Sequence, residues 1–316
     1  MALRLISKTY WRGTQIRFRE PVQDVVGQPV ALDTMDGARV HGIYWTPGGN
    51  PRPRVAVIAA HPRVDFSEHH AFPALLKAGY GCLGANLRTL NNDMDCLHER
   101  LLIDVGAYMA WLREIGAEAV LLLGNSGGGS LFAFYQAQAV TEPTERTTLT
   151  PGGRPSLLDR AELPPGDALI FMAAHAGQGL IMNEVIDPAV SDEADPLASD
   201  PALDMYEPAN GFRPPPEWSE YAPAFIERYR AAQLARVARI DATARAHIAA
   251  ADDAAARHGA ADFAALPAAE QRRILQAEAF EPVLLVYRTM ANLKYVDRRL
   301  DPCRRLPLVC PAGGID

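Results

Sequence analysis

A chain of 316 residues with 48% hydrophobic content can bury a large core, and it is long enough for one large domain with an insertion or for two smaller domains. A net charge of −7 with no dense Lys/Arg stripe argues against a nucleic-acid partner. No apolar run approaches the roughly 18–20 residues that span a bilayer, and the first residues lack a signal peptide's apolar stretch, so neither a membrane span nor export is expected.

The four cysteines are Cys82, Cys96, Cys303 and Cys310. They form no Cys-x-x-Cys pair and have no histidine at metal-ligand spacing, so they are expected to be free thiols in a reducing, cytoplasmic compartment. No cofactor is implied.

The elements follow in chain order. Residues 16–47 read as a strand pair or small meander, with Val30–Thr34 and Arg39–Thr46 flanking the turn signal Met35-Asp36-Gly37. Val55–Ala60 is an apolar run without alternation, which suits a strand covered on both faces. Residues 67–78 read as a helix, Gly81–Leu87 as a strand, and Asp104–Glu114 as a helix with an acidic residue favourably placed at its start. Val120–Leu123 is the next strand, 127–139 the next helix, and Ala168–Ala173 a further strand of buried type. Strands alternating with helices predict an α/β fold, a mostly parallel sheet with flanking helices.

The texture changes after residue 176. Residues 187–216 read as long and mostly irregular. Ala222–His258 has a helical pattern so long that a break or an antiparallel pair is expected. Residues 267–280 are also helical. Glu281–Tyr287 fits a strand or a helix equally well, and 301–316 reads as an irregular tail. The expected organisation is a core over 1–175, a mainly helical insertion over 176–280, and a return to the core over 281–316.

The segment Ala119-Val-Leu-Leu-Leu-Gly-Asn-Ser-Gly-Gly-Gly-Ser130 carries the chemistry. A strand runs into Gly124-x-Ser126-x-Gly128 and a helix follows, which is how a serine hydroxyl is exposed on a sharp turn above a sheet. No lysine follows the glycines, so a phosphate-binding Walker loop is excluded. Position 132 is Phe, so a dinucleotide fingerprint is excluded too. In such a site one oxyanion donor is the N–H of the residue after the serine, here Gly127. The other comes from the loop after an earlier strand, here His61-Pro62-Arg63; Pro62 has no N–H, so Arg63 is the expected donor, with Val64 as the alternative. His61, His175 and Asn125 are expected to line the pocket.

On these motifs residues 25–175 resemble the first half of an α/β-hydrolase. The resemblance implies a serine hydrolase acting on a small-molecule ester or thioester, with residues 176–280 as a cap. It also implies an acid and then a histidine after the nucleophile. Asp187, Asp192, Asp195, Asp297 and Asp301 are the acids on offer. The histidines after Ser126 are His175, His247 and His258. His247 and His258 lie on the Ala/Arg helix, where a solvated position is expected. His69 and His70, upstream, are expected to begin a cap-facing helix and to line the pocket; using either as the base would break the family's chain order. Arg228, Arg230 and Arg236 offer cations to an acidic substrate, with solvent exposure as the default. The alternative expectation is an inactive protein of the same fold, truncated before the last strands or degenerate.

Overall fold

The computed structural model describes residues 24–92 and 96–300. The chain forms two compact units, Met1–Gln178 and Gly179–Asp316.

The first unit is built on a six-stranded sheet in the order β1-β2-β4-β3-β5-β6. β1 (Val25–Asp33) and β2 (Arg39–Pro47) form the antiparallel hairpin expected around Asp36-Gly37. Residues 16–23 of the expected strand pair lie outside the described residues. β2 alternates, with Val40, Tyr44 and Thr46 buried on one face and the other only partly covered, where Trp45 packs on the side of α1 (Phe72–Lys77). β3 (Val55–His61), β4 (Gly81–Asn86), β5 (Ala119–Asn125) and β6 (Ala168–Met172) run parallel.

Helices cover both faces of β3. Ala56, Ile58 and Ala60 face α2 (His98–Glu114) and α3 (Gly127–Val140). Val57 and Ala59 face α1 (Phe72–Lys77) through Phe72 and Leu76. That two-sided burial is why β3 and β4 read as unbroken apolar runs. α2 presents Leu101, Leu102, Val105, Tyr108, Met109 and Leu112 at helical spacing, all buried.

Three expectations are corrected here. α1 begins at Phe72, so residues 67–71 are a loop. α2 begins at His98, which puts Asp104 in the buried middle of the helix rather than at its start. There its carboxylate takes two hydrogen bonds from the Arg88 side chain, at 2.6 and 2.8 Å, and one from the Arg88 backbone N–H. β6 is no buried strand: its only neighbour among the described residues is β5, and Phe171 is 57% exposed.

The second unit is mainly helical. α4 (Gln178–Val185) leads into the small hairpin of β7 (Val190–Asp192) and β8 (Asp195–Ser199). α5 (Pro223–His258) is one unbroken helix of 36 residues, about 54 Å long. The expected break is missing because its only proline, Pro223, lies in the first turn, and glycine first occurs after its end, at Gly259. α6 (Ala268–Glu278) folds back against α5, with Arg257 paired to Glu270 at 2.6 Å. Met205, Tyr221, Phe225, Tyr229, Ala291 and Leu293 form this unit's core. Residues 281–287 form neither strand nor helix. No helix among the described residues is long and apolar enough to cross a membrane.

Candidate functional site

The C-terminal ends of β3, β5 and β6 meet at one edge of the parallel sheet, where ligands bind in open α/β sheets. Ser126 lies between β5 and α3 with φ 53° and ψ −121°, a conformation few side chains adopt. The turn is held from both sides: Ser126 N–H donates to Met172 O at 3.1 Å, and Ser126 O accepts from Gly129 N–H at 3.1 Å. The flanking glycines are required by close approach. A Cβ on Gly128 would collide with the carbonyl oxygen of Ala60, and one on Gly124 would lie 2.5 Å from Gly129 Cα. β3, β5 and α3 therefore touch through bare backbone, and the serine is left half-buried at the top.

Two imidazoles flank the next residue. A Cβ on Gly127 would lie 2.9 Å from His61 Nε2 and 3.3 Å from His175 Nε2. His61 is the last residue of β3 and is buried; His175 follows β6 and is half-buried. His175 also ties back to the turn, its N–H donating to Ser126 O at 3.4 Å. A third ring, the fully buried His69, lies 3.3 Å from Asn125 Oδ1 through Nε2, while Asn125 Nδ2 donates to Met172 O at 2.8 Å. The strands thus bring Ser126, Gly127, His61, His175 and Asn125 together. His69, expected at the start of a helix, sits instead in the loop before α1 with its ring against Asn125.

The hydrogen bonds assign each ring's tautomer. His61 Nδ1 accepts from Arg63 N–H at 3.1 Å and from Val64 N–H at 3.2 Å. His69 Nδ1 accepts from Ala71 N–H at 3.2 Å, and His175 Nδ1 from Gly177 N–H at 3.1 Å. A neutral imidazole whose Nδ1 accepts carries its proton on Nε2. All three rings therefore present Nε2–H. The Arg63 amide, expected to face an oxyanion, is instead turned onto His61 Nδ1, and so is that of Val64.

The loop after β3 is held by residues at the end of β4. Asn86 Oδ1 accepts from Phe66 N–H and its Nδ2 donates to Asp65 Oδ1 and Ser67 Oγ. Thr89 Oγ1 donates to Pro62 O, and Asn91 N–H donates to Arg63 O. Burial and the neighbouring charge of His70 depress the pKa of His69 to about 4, against the opposing bond to Asn125. Burial, then the charges of Arg63 and His98, hold His175 below the usual imidazole value. Both rings are neutral at pH 7. Among the described residues no group of three His, Cys, Asp or Glu side chains is arranged to hold a metal ion.

The other expected residues serve structure within the second unit. Asp187 is buried and paired with Arg288 at 2.6 Å, and Asp297 with Arg299 at 2.6 Å. Asp192 and Asp195 accept from Ala194 and Leu197 N–H in their own turns. Asp301 lies outside the described residues. His258 pairs with Glu278 at 2.7 Å, and His247 packs on Phe280. Arg236 is not solvated: it is fully buried, held by both oxygens of Glu193 and by Asp187 O. Arg228 sits over the Phe225 ring, and Arg230 donates to Gln233 and Asn292. The sequence singles out His69, but its partner Asn125, 56 residues away, cannot be read from spacing.

No protein-family model matches the chain, and no curated protein matches it. Solved structures match over about a third of its length. A prolyl endopeptidase is 19% identical over 38% of this chain and 19% of its own, with a TM-score of 0.32. A post-proline cleaving enzyme from Rickettsia typhi is 15% identical over 36% of this chain and 19% of its own, with a TM-score of 0.33. The esterase Est22 is 15% identical over 36% of this chain and 38% of its own, with a TM-score of 0.30. The chain spans about a fifth of the length of the two peptidases and under two fifths of the esterase.

Proposed function

We propose that this chain is a serine hydrolase acting on an ester or thioester, with Ser126 as its nucleophile. One observation carries the proposal: Ser126 holds φ 53° and ψ −121° on the turn from β5 to α3. A serine tolerates that strain where its hydroxyl must stand clear of the backbone to attack a carbonyl. Oγ would bond to the acyl carbon and drive charge onto the carbonyl oxygen. The Gly127 N–H, at the start of α3, and the Nε2–H of His61, which lies against Gly127, are the donors assigned to the oxyanion. Each such donor is worth about 3 kcal/mol of barrier. In this reading His61 takes the donor role first expected of Arg63.

A second reading is a non-catalytic protein of the same fold that binds a ligand at this edge. The tautomers of the three imidazoles favour it, because none turns a lone pair toward Ser126.

A fluorophosphonate probe separates the two. Labelling of the folded chain that disappears in Ser126→Ala is expected. Folded protein that takes no label, with far-UV dichroism confirming the fold, overturns the hydrolase in favour of the binding module.

A further inference from the structure

We infer that Ser126 is an acyl-transfer centre that accepts acyl groups from donors with good leaving groups, thioesters and aryl esters, and passes them to neutral amines faster than to water. The inference rests on the serine-nucleophile reading above and specifies its donor and acceptor.

Its basis is the proton inventory of the three rings. His61 Nδ1 is held by two backbone N–H groups, and His69 and His175 Nδ1 by one each. What His61 and His175 turn toward Gly127 is therefore N–H. A general base needs the opposite tautomer, with the lone pair on Nε2. Moving the proton to Nδ1 would set it against the backbone N–H groups and leave those amides without an acceptor, which is unfavourable away from water. His69 Nε2 is already engaged with Asn125.

N–H donors without a base leave the Ser126 hydroxyl and water alike without a proton acceptor. The first half of an acyl transfer must therefore be driven by the leaving group of the acyl donor. With a thioester RCO–SR′, Ser126 Oγ bonds to the acyl carbon and the C–S bond breaks with its electron pair on sulfur. The Oγ proton ends on that sulfur through solvent. A thiolate or an aryl oxide leaves without prior protonation, so no general acid is needed, and the N–H groups stabilise the intermediate. Release to water lacks that help, because the acyl-serine is an ordinary ester with an alkoxide to expel. Water attacks well only when a base takes its proton, an effect worth roughly 100-fold or more. A neutral amine brings its own lone pair. Its nitrogen bonds to the acyl carbon, the Oγ–C bond breaks, and an ammonium proton passes to Oγ to restore the serine. The sum is RCO–SR′ + R″NH2 → RCO–NHR″ + R′SH, with no redox partner.

The test uses the full chain and p-nitrophenyl acetate at pH 8.5. Release of p-nitrophenolate is followed with and without glycinamide, against Ser126→Ala for the uncatalysed background. The expected result is a burst of one equivalent, an acetyl group on the Ser126 peptide by mass spectrometry, and a slow phase. Glycinamide should speed that phase by about tenfold or more and yield N-acetylglycinamide in excess of acetate. Steady turnover to acetate without a burst, lost in Ser126→Ala, would overturn the inference and leave the serine hydrolase standing. Fluorophosphonate labelling of Ser126 without acetylation would do the same. Absence of both label and acetyl would overturn both readings.

Discussion

A side chain at φ 53°, ψ −121° is strained by about 1–3 kcal/mol, and glycine is not. Ser126→Gly should therefore raise the urea-unfolding stability by about 1 kcal/mol relative to Ser126→Ala, after allowance for glycine's larger unfolded-state entropy. Both variants lose the hydroxyl, so both should lose probe labelling, and the difference between them isolates the strain. Equal stability of the two would mean that the turn is relaxed. The glycines that allow this turn were readable in sequence because close approach leaves a glycine wherever a Cβ has no room. The direction of an amide was not. The order His61-Pro62-Arg63 located the loop, but the imidazole of His61 reaches back to the Arg63 and Val64 amides. A local side-chain-to-backbone bond of this kind leaves no mark on spacing or hydropathy.

Elements were legible where one physical signal dominated. β3 and β4 are apolar up to their last residues, His61 and Asn86, because both faces are covered, and the hairpin of β1 and β2 turns at Asp36-Gly37 as its residues demand. Legibility failed where a distant partner set the outcome. Asp104 fits a helix start by composition, yet Arg88 bridges it to Asp36, so a carboxylate stands among the apolar residues of α2. The Arg88 bonds hold the Asp36 carboxyl well below the usual carboxylate range. Asp104→Ala removes a fully buried acceptor and leaves the half-buried Arg88 with one partner fewer. A loss of about 3 kcal/mol is expected, read by urea unfolding through Trp111 fluorescence, since Trp111 lies beside Tyr44 in the same unit. Asp104→Asn, which keeps an acceptor for the Arg88 amide, should lose less. Residues 281–287 failed for a related reason. Their apolar run matches both templates, but a strand exists only against a neighbour, and no strand pairs with them among the described residues.

Across the whole molecule, acid stability is set first by histidines that fold in neutral form. His69 has a folded pKa of about 4, against about 6.5 in an unfolded chain. Between these values the unfolded state binds a proton that the folded state refuses. Stability therefore rises with pH across that window and is lost as pH falls from 6.5 toward 4. The loss from this one ring is about 3 kcal/mol at pH 4. His98 and His175, also shifted down by burial, act in the same direction. The paired carboxylates respond in a different window. Asp36 and Asp297 have pKa values held below 3.8, so their contribution is intact until the pH drops under the unfolded carboxylate value. The two classes should appear as separate limbs in a plot of unfolding free energy against pH. His69→Gln keeps an amide beside Asn125 but has no proton to gain, so it should reduce the slope of the limb between pH 6.5 and 4, leaving the share of His98 and His175, with the lower limb unchanged. An unaltered upper limb in that variant would mean that His69 is protonated in the folded chain at pH 5, and its Nδ1 could then no longer accept the Ala71 amide.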